Sequence, residues 1–481
     1  MPAARPTRAA FPWGRLALYG AVHGALGALF LLAGPYAATA FPLDDAYIHH
    51  VYAEGVAFGE GFAYNPGAPA NGATSPLWVL LLAPLRLLGL RGAALVLPTK
   101  LLGLALGALL ALVADHLAAA LGASPKARFA AGLLVAANPL VVYGAVSGME
   151  LPLASLLLLA ALLALARRRL LAAGLALGAG ILARPELTLA WLFVAGLEGR
   201  RRRAPPPTAL WLPGALVWAV WMGRSLHVAD AWLPTTFAAK HDAAGLAQWV
   251  DVPWAALIAL GGPLAIVTLP LGVLAIRRWW RRPSTARMAA LALLVFLPLG
   301  VAWAHDIAEP TRFFWWRYGA PVLPLALVIA ACGLDALPAP RRGLAAGAAL
   351  LLGLAFAWPA ARDQAEHARN ITELNVAAAR WLEERVGERD WLASNDAGAV
   401  RLLTERPVVD LIGLNDHRMR TPARAEVLEA ADPRYYVVFE SWFPNMVASP
   451  RFRVVRRFRS EPYVVCRECA QSELLILERV R

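Results

Sequence analysis

Apolar runs of about 16–25 residues, each closed by a short polar or arginine-bearing stretch, recur along this chain from Arg15 to about residue 360. Runs of that length with almost no charge inside them suit transmembrane helices. The pattern predicts spans near 16–40, 93–115, 128–146, 151–166, 170–183, 187–198, 208–224, 254–276, 287–303, 318–333 and 343–360, about eleven in all. One further run, Ser75 to Leu90, starts at Ser75-Pro76 and carries Pro84 and Arg86. It is read as an interfacial or re-entrant helix. Counting it as a span would turn Arg167–Arg169 and Arg200–Arg203 outward, against the positive-inside rule. Past Pro359 charges occur throughout. Strand-like runs (Tyr435–Phe439, Phe452–Val455, Leu474–Leu477) accompany helix-like stretches at 363–387 and 421–430. The predicted fold is a polytopic α-helical membrane domain, 1–360, with juxtamembrane helices in its first external loop. A small α/β domain, 361–481, follows it.

Composition narrows the choice of partners. Hydrophobic residues make up 59% of the chain and charged ones only 16%, with a mean hydropathy of +0.52, which excludes a string of soluble domains. A net charge of +13 would suit nucleic acid, but the arginines sit between apolar runs, as at 167–169, 200–203 and 277–282. They read as cytoplasmic retention signals, so the partner they imply is the bilayer and nucleic acid is set aside. The N-terminus is then cytoplasmic, and an odd number of spans puts the C-terminal domain outside. Arg5, Arg8 and Arg15 before an apolar run ending in Ala38-Thr39-Ala40 have the form of a signal peptide. The run is long for one, and is read as a retained anchor. Three cysteines make no disulfide framework. Cys332 is a small core residue. Cys466 and Cys469 lack the other ligands of a zinc site and would form a short disulfide outside the cytosol.

The opposite face collects Asp44, Asp45, Glu54, Glu150, Arg184, Glu186, Lys240, His241, Asp242, His305, Asp306, Glu309, Arg312 and Arg317. Adjacent carboxylates at the mouth of a span, Asp44-Asp45, are costly to desolvate. They read as a general base with a supporting group, as metal ligands together with His49, or as a cap on the following helix. No cofactor is required by this reading, and a divalent ion, Mg or Mn, is an option. Lys240, Arg312, Arg317 and Arg184 are candidates to hold an anion, against snorkelling toward headgroups. Glu150 would orient the base, bind hydroxyls or cap the next helix; Glu186 would pair with Arg184. Ser394–Val400 and Asp410–Asp416 read as strand-to-turn segments, either structural or contacting a ligand.

Asp44-Asp45-Ala-Tyr47-Ile, the Gly59-x-Gly61…Tyr64-Asn65-Pro-Gly loop and Thr74-Ser-Pro-Leu-Trp78 together resemble the integral-membrane GT-C glycosyltransferases. Ser147–Glu150, Ala183–Glu186, Leu233–Lys240 and Arg317–Pro321 follow in the same order, so the resemblance covers about residues 40–325. It is similar to bacterial arabinofuranosyltransferases and protein mannosyltransferases, and departs from them at Ala73, Thr235 and Ala238. The resemblance implies an inverting transferase of the bacterial inner (plasma) membrane that serves the cell envelope. Its donor would be a polyprenyl-phosphate sugar and its acceptor an envelope glycan, glycolipid or protein. Asp44 would be the base and Asp45 its support, with Tyr47, His49, Tyr64, Asn65, Trp78, Glu150 and His305 near substrate. A transporter or flippase of lipid-linked sugars is the rival reading. No internal repeat of the kind transporters carry is evident.

Overall fold

The structure is a computed structural model that describes residues 12–232, 234–236, 264–304, 317, 320–464 and 472–480. Its helices are α1 (Trp13–Leu32), α2 (Asp44–Ala57), α3 (Pro76–Leu87), α4 (Val96–Ala120), α5 (Pro125–Ala136), α6 (Pro139–Val146), α7 (Leu151–Ala166), α8 (Leu170–Ala183), α9 (Leu187–Arg202), α10 (Thr208–Ala229), α11 (Ala265–Trp280), α12 (Thr285–Ala304), α13 (Leu323–Gly333) and α14 (Ala339–Ile371). Proline sets several of the starts. Pro76, Pro125, Pro139 and Pro152 each stand in a first turn, where the missing N–H costs nothing. Asn138 caps α6 by accepting from Leu140 and Val141, and the chain bends 47° between α5 and α6.

Among the described residues helices form where apolar runs predicted them, and α7 and α8 have the predicted ends; residues 254–263 of the run 254–276 lie outside the described residues. Among the described residues three helices are long and apolar enough to cross a membrane, or four if α5 and α6 count as one span. Length alone therefore does not reach the expected eleven. Several apolar helices, α7 and α8 among them, are 10–17 residues, short for a full crossing. The Ser75–Leu90 run is a single 12-residue helix, α3, packed against α2.

Buried carboxylates gather the arginine clusters. Asp115 of α4 accepts from Arg15, Arg128 and the Tyr19 hydroxyl, tying α1 and α5 to α4. Glu198 takes Arg168, Arg201 and Arg202; Asp335 takes Arg278, Arg342 and the Ser124 hydroxyl. At the other end of α4, Lys100 donates to the carbonyls of Ala37 and Ala40 at 2.5 and 2.8 Å. It thereby fixes the turn that leads into α2. Lys100 and Asp115 lie about 22 Å apart along the helix.

α14 runs unbroken through residue 361 and continues by a π-turn (Thr372–Val376) into α15 (Ala377–Glu383), so one rod joins the two parts. Asn370 of the Asn-Ile-Thr sequon is buried on it and donates to Ser460 Oγ and the Pro462 carbonyl. Beyond the rod stand the last helices, beginning with α16 (Ala397–Thr404), and a five-stranded sheet. A two-stranded hairpin, β1 (Ala63–Asn65) and β2 (Ala68–Pro69), sits in the first loop; β3 (Leu392–Ser394), β4 (Val408–Asp410), β5 (Tyr435–Phe439), β6 (Phe452–Arg459) and β7 (Glu473–Arg479) make the sheet, in order β4-β3-β5-β7-β6. β3 pairs in parallel with β4 and β5, while β7 runs antiparallel to β5 and β6. β5 is buried on both faces, Tyr435 and Val437 toward the large core and Tyr436 and Val438 toward a second one. Asp115→Ala should lower the unfolding free energy in detergent by about 3 kcal/mol, because it strands two half-buried guanidinium groups. An unchanged thermal midpoint would mean that the cluster does not tie the helices together.

Candidate active site

Leu43 is extended (φ −141°, ψ 137°) and α2 opens on Asp44 and Asp45, carboxylates at a helix N-terminus. Neighbouring residues on a helix point about 100° apart. These two go to different partners. Both oxygens of Asp44 accept from backbone N–H groups at the start of α16, Gly398 at 2.6 Å and Ala399 at 2.8 Å. Asp396, at the N-cap position of α16, makes no side-chain cap bond and instead accepts from Asn375 Nδ2 at 2.9 Å. Asp44, distant in sequence, caps that helix in its place.

Asp45 turns the other way and meets Arg317 Nη1 at 2.5 Å. One turn on, His49 Nε2 lies 3.3 Å from Glu150 Oε2. Glu150 Oε1 accepts from Arg184 Nη1 at 2.8 Å. Arg184 also reaches Glu186 at 3.1 Å and the Arg317 carbonyl at 3.4 Å. A continuous polar chain thus runs Asp45–Arg317–Arg184–Glu150–His49, drawn from α2, the α6–α7 turn, the α8–α9 turn and residue 317. The α6–α7 turn depends on Gly148, whose φ of +81° favours glycine and whose missing side chain leaves room for Phe41 and Ala46. Burial alone would raise the Glu150 carboxyl. His49, Arg184 and Arg317 outweigh it and bring the group down to about 2, so it is ionised.

Of the residues expected at the site, Asp45, His49, Glu150, Arg184 and Arg317 come together. Others are committed elsewhere. Trp78 is fully buried and donates to the Gly148 carbonyl at 3.0 Å, supporting the turn rather than facing a ligand. Tyr47 is buried against Phe41, with its hydroxyl accepting from the Phe41 N–H. Tyr64 donates to the Ala397 carbonyl at 2.6 Å, and Asn65 exchanges two hydrogen bonds with the backbone of Val408. These two hold the C-terminal domain. His50 faces Thr99, and burial, then His49 and Arg86, lower it to about 3. Lys240, His305, Arg312, Cys466 and Cys469 lie outside the described residues. Asp44, Asp45 and His49 each have another partner here: Asp44 takes peptide N–H groups, Asp45 takes Arg317, and His49 faces Glu150. Among the described residues no three such groups surround a point suited to a metal ion. Sequence reasoning did not join Asp44 to Gly398, since nothing local marks a contact 354 residues long.

By fold the chain is similar to membrane transferases. ArnT from Cupriavidus metallidurans bound to undecaprenyl phosphate superposes with a TM-score of 0.60 at 15% identity, covering 97% of this chain and 98% of that one. The apo oligosaccharyltransferase of Archaeoglobus fulgidus gives 0.60 at 11% identity over 90% of this chain and 70% of that one. Its complex with an inhibitory peptide and a dolichol-phosphate gives 0.55 at 12% identity, over 88% and 70%. The chain has the GT-C fold that these enzymes share. Residues 363–475, mostly the C-terminal domain, match the family described as Domain of unknown function (DUF8728). No curated protein matches the chain by sequence.

Asp44 and Asp396 are desolvated together. Burial and then Asp396 raise the Asp44 carboxyl. Burial raises Asp396 to about 6, with Asp45 and Asp410 adding to it and the Asn375 amide opposing. An unfolded aspartate titrates near ~3.9, so the folded protein binds the extra proton between the two values. Stability therefore falls as pH rises through that window and stays lower above it. Asp396→Asn should flatten this dependence and raise the thermal midpoint near about pH 7, a gain on the order of 2 kcal/mol. Equal pH dependence of melting in variant and parent would contradict it.

Proposed function

We propose that this protein moves a monosaccharide from a polyprenyl-phosphate carrier to the hydroxyl of an extracytoplasmic glycan, glycolipid or protein, with inversion. The observation that carries the proposal is the Asp45–Arg317 pair, set at one end of a GT-C helical bundle with Arg184 and Glu150 behind it. The arginine clusters on Asp115 and Glu198 favour an outward-facing site, because Asp115 lies at the other end of α4. ArnT and the archaeal enzyme, with the same fold, have been captured with undecaprenyl phosphate and dolichol-phosphate.

The roles follow from charge. Paired with a guanidinium, Asp45 is a weak base. A donor phosphate offers Arg317 a better, bidentate partner and releases Asp45 to the acceptor. The acceptor oxygen attacks the anomeric carbon as its proton passes to Asp45. The anomeric C–O bond breaks, and its electron pair leaves with the phosphate. The phosphate changes from a singly charged diester to a monoester with a second charge developing, and Arg317 stabilises that charge. Glu150 and Glu186 hold Arg184 beside the Arg317 backbone. An apolar groove of about 790 Å³ between α9 and α12, lined by Leu189, Leu192, Phe193, Phe296 and Gly300, begins three residues past Glu186 and suits an isoprenoid chain.

The test is transfer by the purified protein in detergent from a panel of synthetic polyprenyl-phosphate sugars. Asp45→Asn should lower kcat by about 10²–10⁴ while donor binding is kept or tightened, since Arg317 is released. Arg317→Ala should weaken donor binding as well as turnover. Full turnover in Asp45→Asn would overturn the base assignment. Absence of transfer from every donor, with the protein folded, would overturn the proposed reaction.

A further inference from the structure

The C-terminal domain meets the membrane part along a seam whose membrane-side partners lie on α2 and the loop after it. Asp44 accepts from Gly398 and Ala399. Tyr52 donates to Asn415 Oδ1 at 2.9 Å and accepts from the Gly72 N–H. Tyr64 donates to the Ala397 carbonyl, and its own carbonyl accepts from Arg401 Nε at 3.1 Å. Asn65 and Val408 pair through two bonds. The turns after β3 and β4 supply most of the other half.

α2 needs that half. Leu43, its N-cap residue, is extended and makes no side-chain cap bond. A helix start with no cap of its own frays, and Asp45 lies in that first turn. Pinning Asp44 onto another helix fixes how far α2 is rotated. It fixes, one residue on, whether Asp45 faces Arg317.

We infer that the C-terminal domain is a positioning element for sugar transfer and that Asp44 is its positioning residue, not the base. The domain, matched by a family of unknown function, thereby acquires a role: the first turn of α16 holds Asp44 so that Asp45 faces the site. This inference rests on the reaction proposed above.

Gly398 provides the selective test. A Cβ there would fall 2.8 Å from Asp44 Oδ2 and closer still to its backbone oxygen. Gly398 has no left-handed φ, and alanine favours a helix, so Gly398→Ala leaves the domain able to fold while it blocks the seat. Seating is read without activity by maleimide labelling of Ala397→Cys, a position 2% exposed, with the three native cysteines replaced. Labelling should be slow in the parent and at least about tenfold faster with Gly398→Ala. Transfer should show kcat down by about 10²-fold, donor KM within about twofold, and the acid limb of the pH–rate profile retained because Asp45 is intact. Asp44→Asn should behave in the same way.

Loss of the acid limb in Asp44→Asn would make Asp44 the base and overturn the inference. So would faster labelling with undiminished kcat. If no donor reacts, the proposed reaction fails; unchanged labelling in Gly398→Ala separately removes the seat.

Discussion

Two peptide N–H groups at the start of α16 and the carboxylate of Asp44 form the contact on which the site depends. A helix N-terminus carries donors that its own backbone cannot satisfy, together with the positive end of the helix dipole. The residue placed to cap α16, Asp396, is turned to Asn375 instead. An acid from the membrane domain fills the vacancy, and α2 gains a fixed first turn in exchange. The membrane part thus completes a helix end that the C-terminal domain leaves open.

The electrostatics around this contact divide the carboxylates by partner. Asp45 faces Arg317 and Glu150 faces Arg184, whereas Asp44 and Asp396 share a desolvated corner and titrate upward. Neighbouring acids in different surroundings suit different roles: one next to a guanidinium that a phosphate can draw away suits proton transfer, and one bound by peptide N–H groups suits attachment. The arginines are likewise split by partner. Those held by Asp115 and Glu198 anchor helix ends, while Arg184 and Arg317 face the site.

Local signals carried most of the fold. The apolar runs gave α7 and α8 their ends, and the strand-like run Tyr435–Phe439 is β5 to the residue. Within the site, Asp45, Glu150, Arg184 and Arg317 were legible because charge at the edge of an apolar run is expensive unless it is used. The different partners of Asp44 and Asp45 were not. Asp44 is held by residues 398 and 399, and no periodicity or spacing links them to residue 44. For the same reason Tyr64 and Asn65 read as ligand contacts: a polar aromatic loop looks alike whether it faces a sugar or a folded domain. Length alone does not return the eleven predicted spans, since several apolar helices among the described residues are shorter than a bilayer crossing.

Amide hydrogen exchange in the first turn of α16 tests the central contact most directly. N–H groups at a free helix start exchange quickly, because no carbonyl receives them. With Asp44 in place, Gly398 and Ala399 should be protected as well as the interior of the helix, and Asp44→Ala should abolish that protection while leaving β5 unaffected. Rapid exchange at both positions in the intact protein would contradict the account.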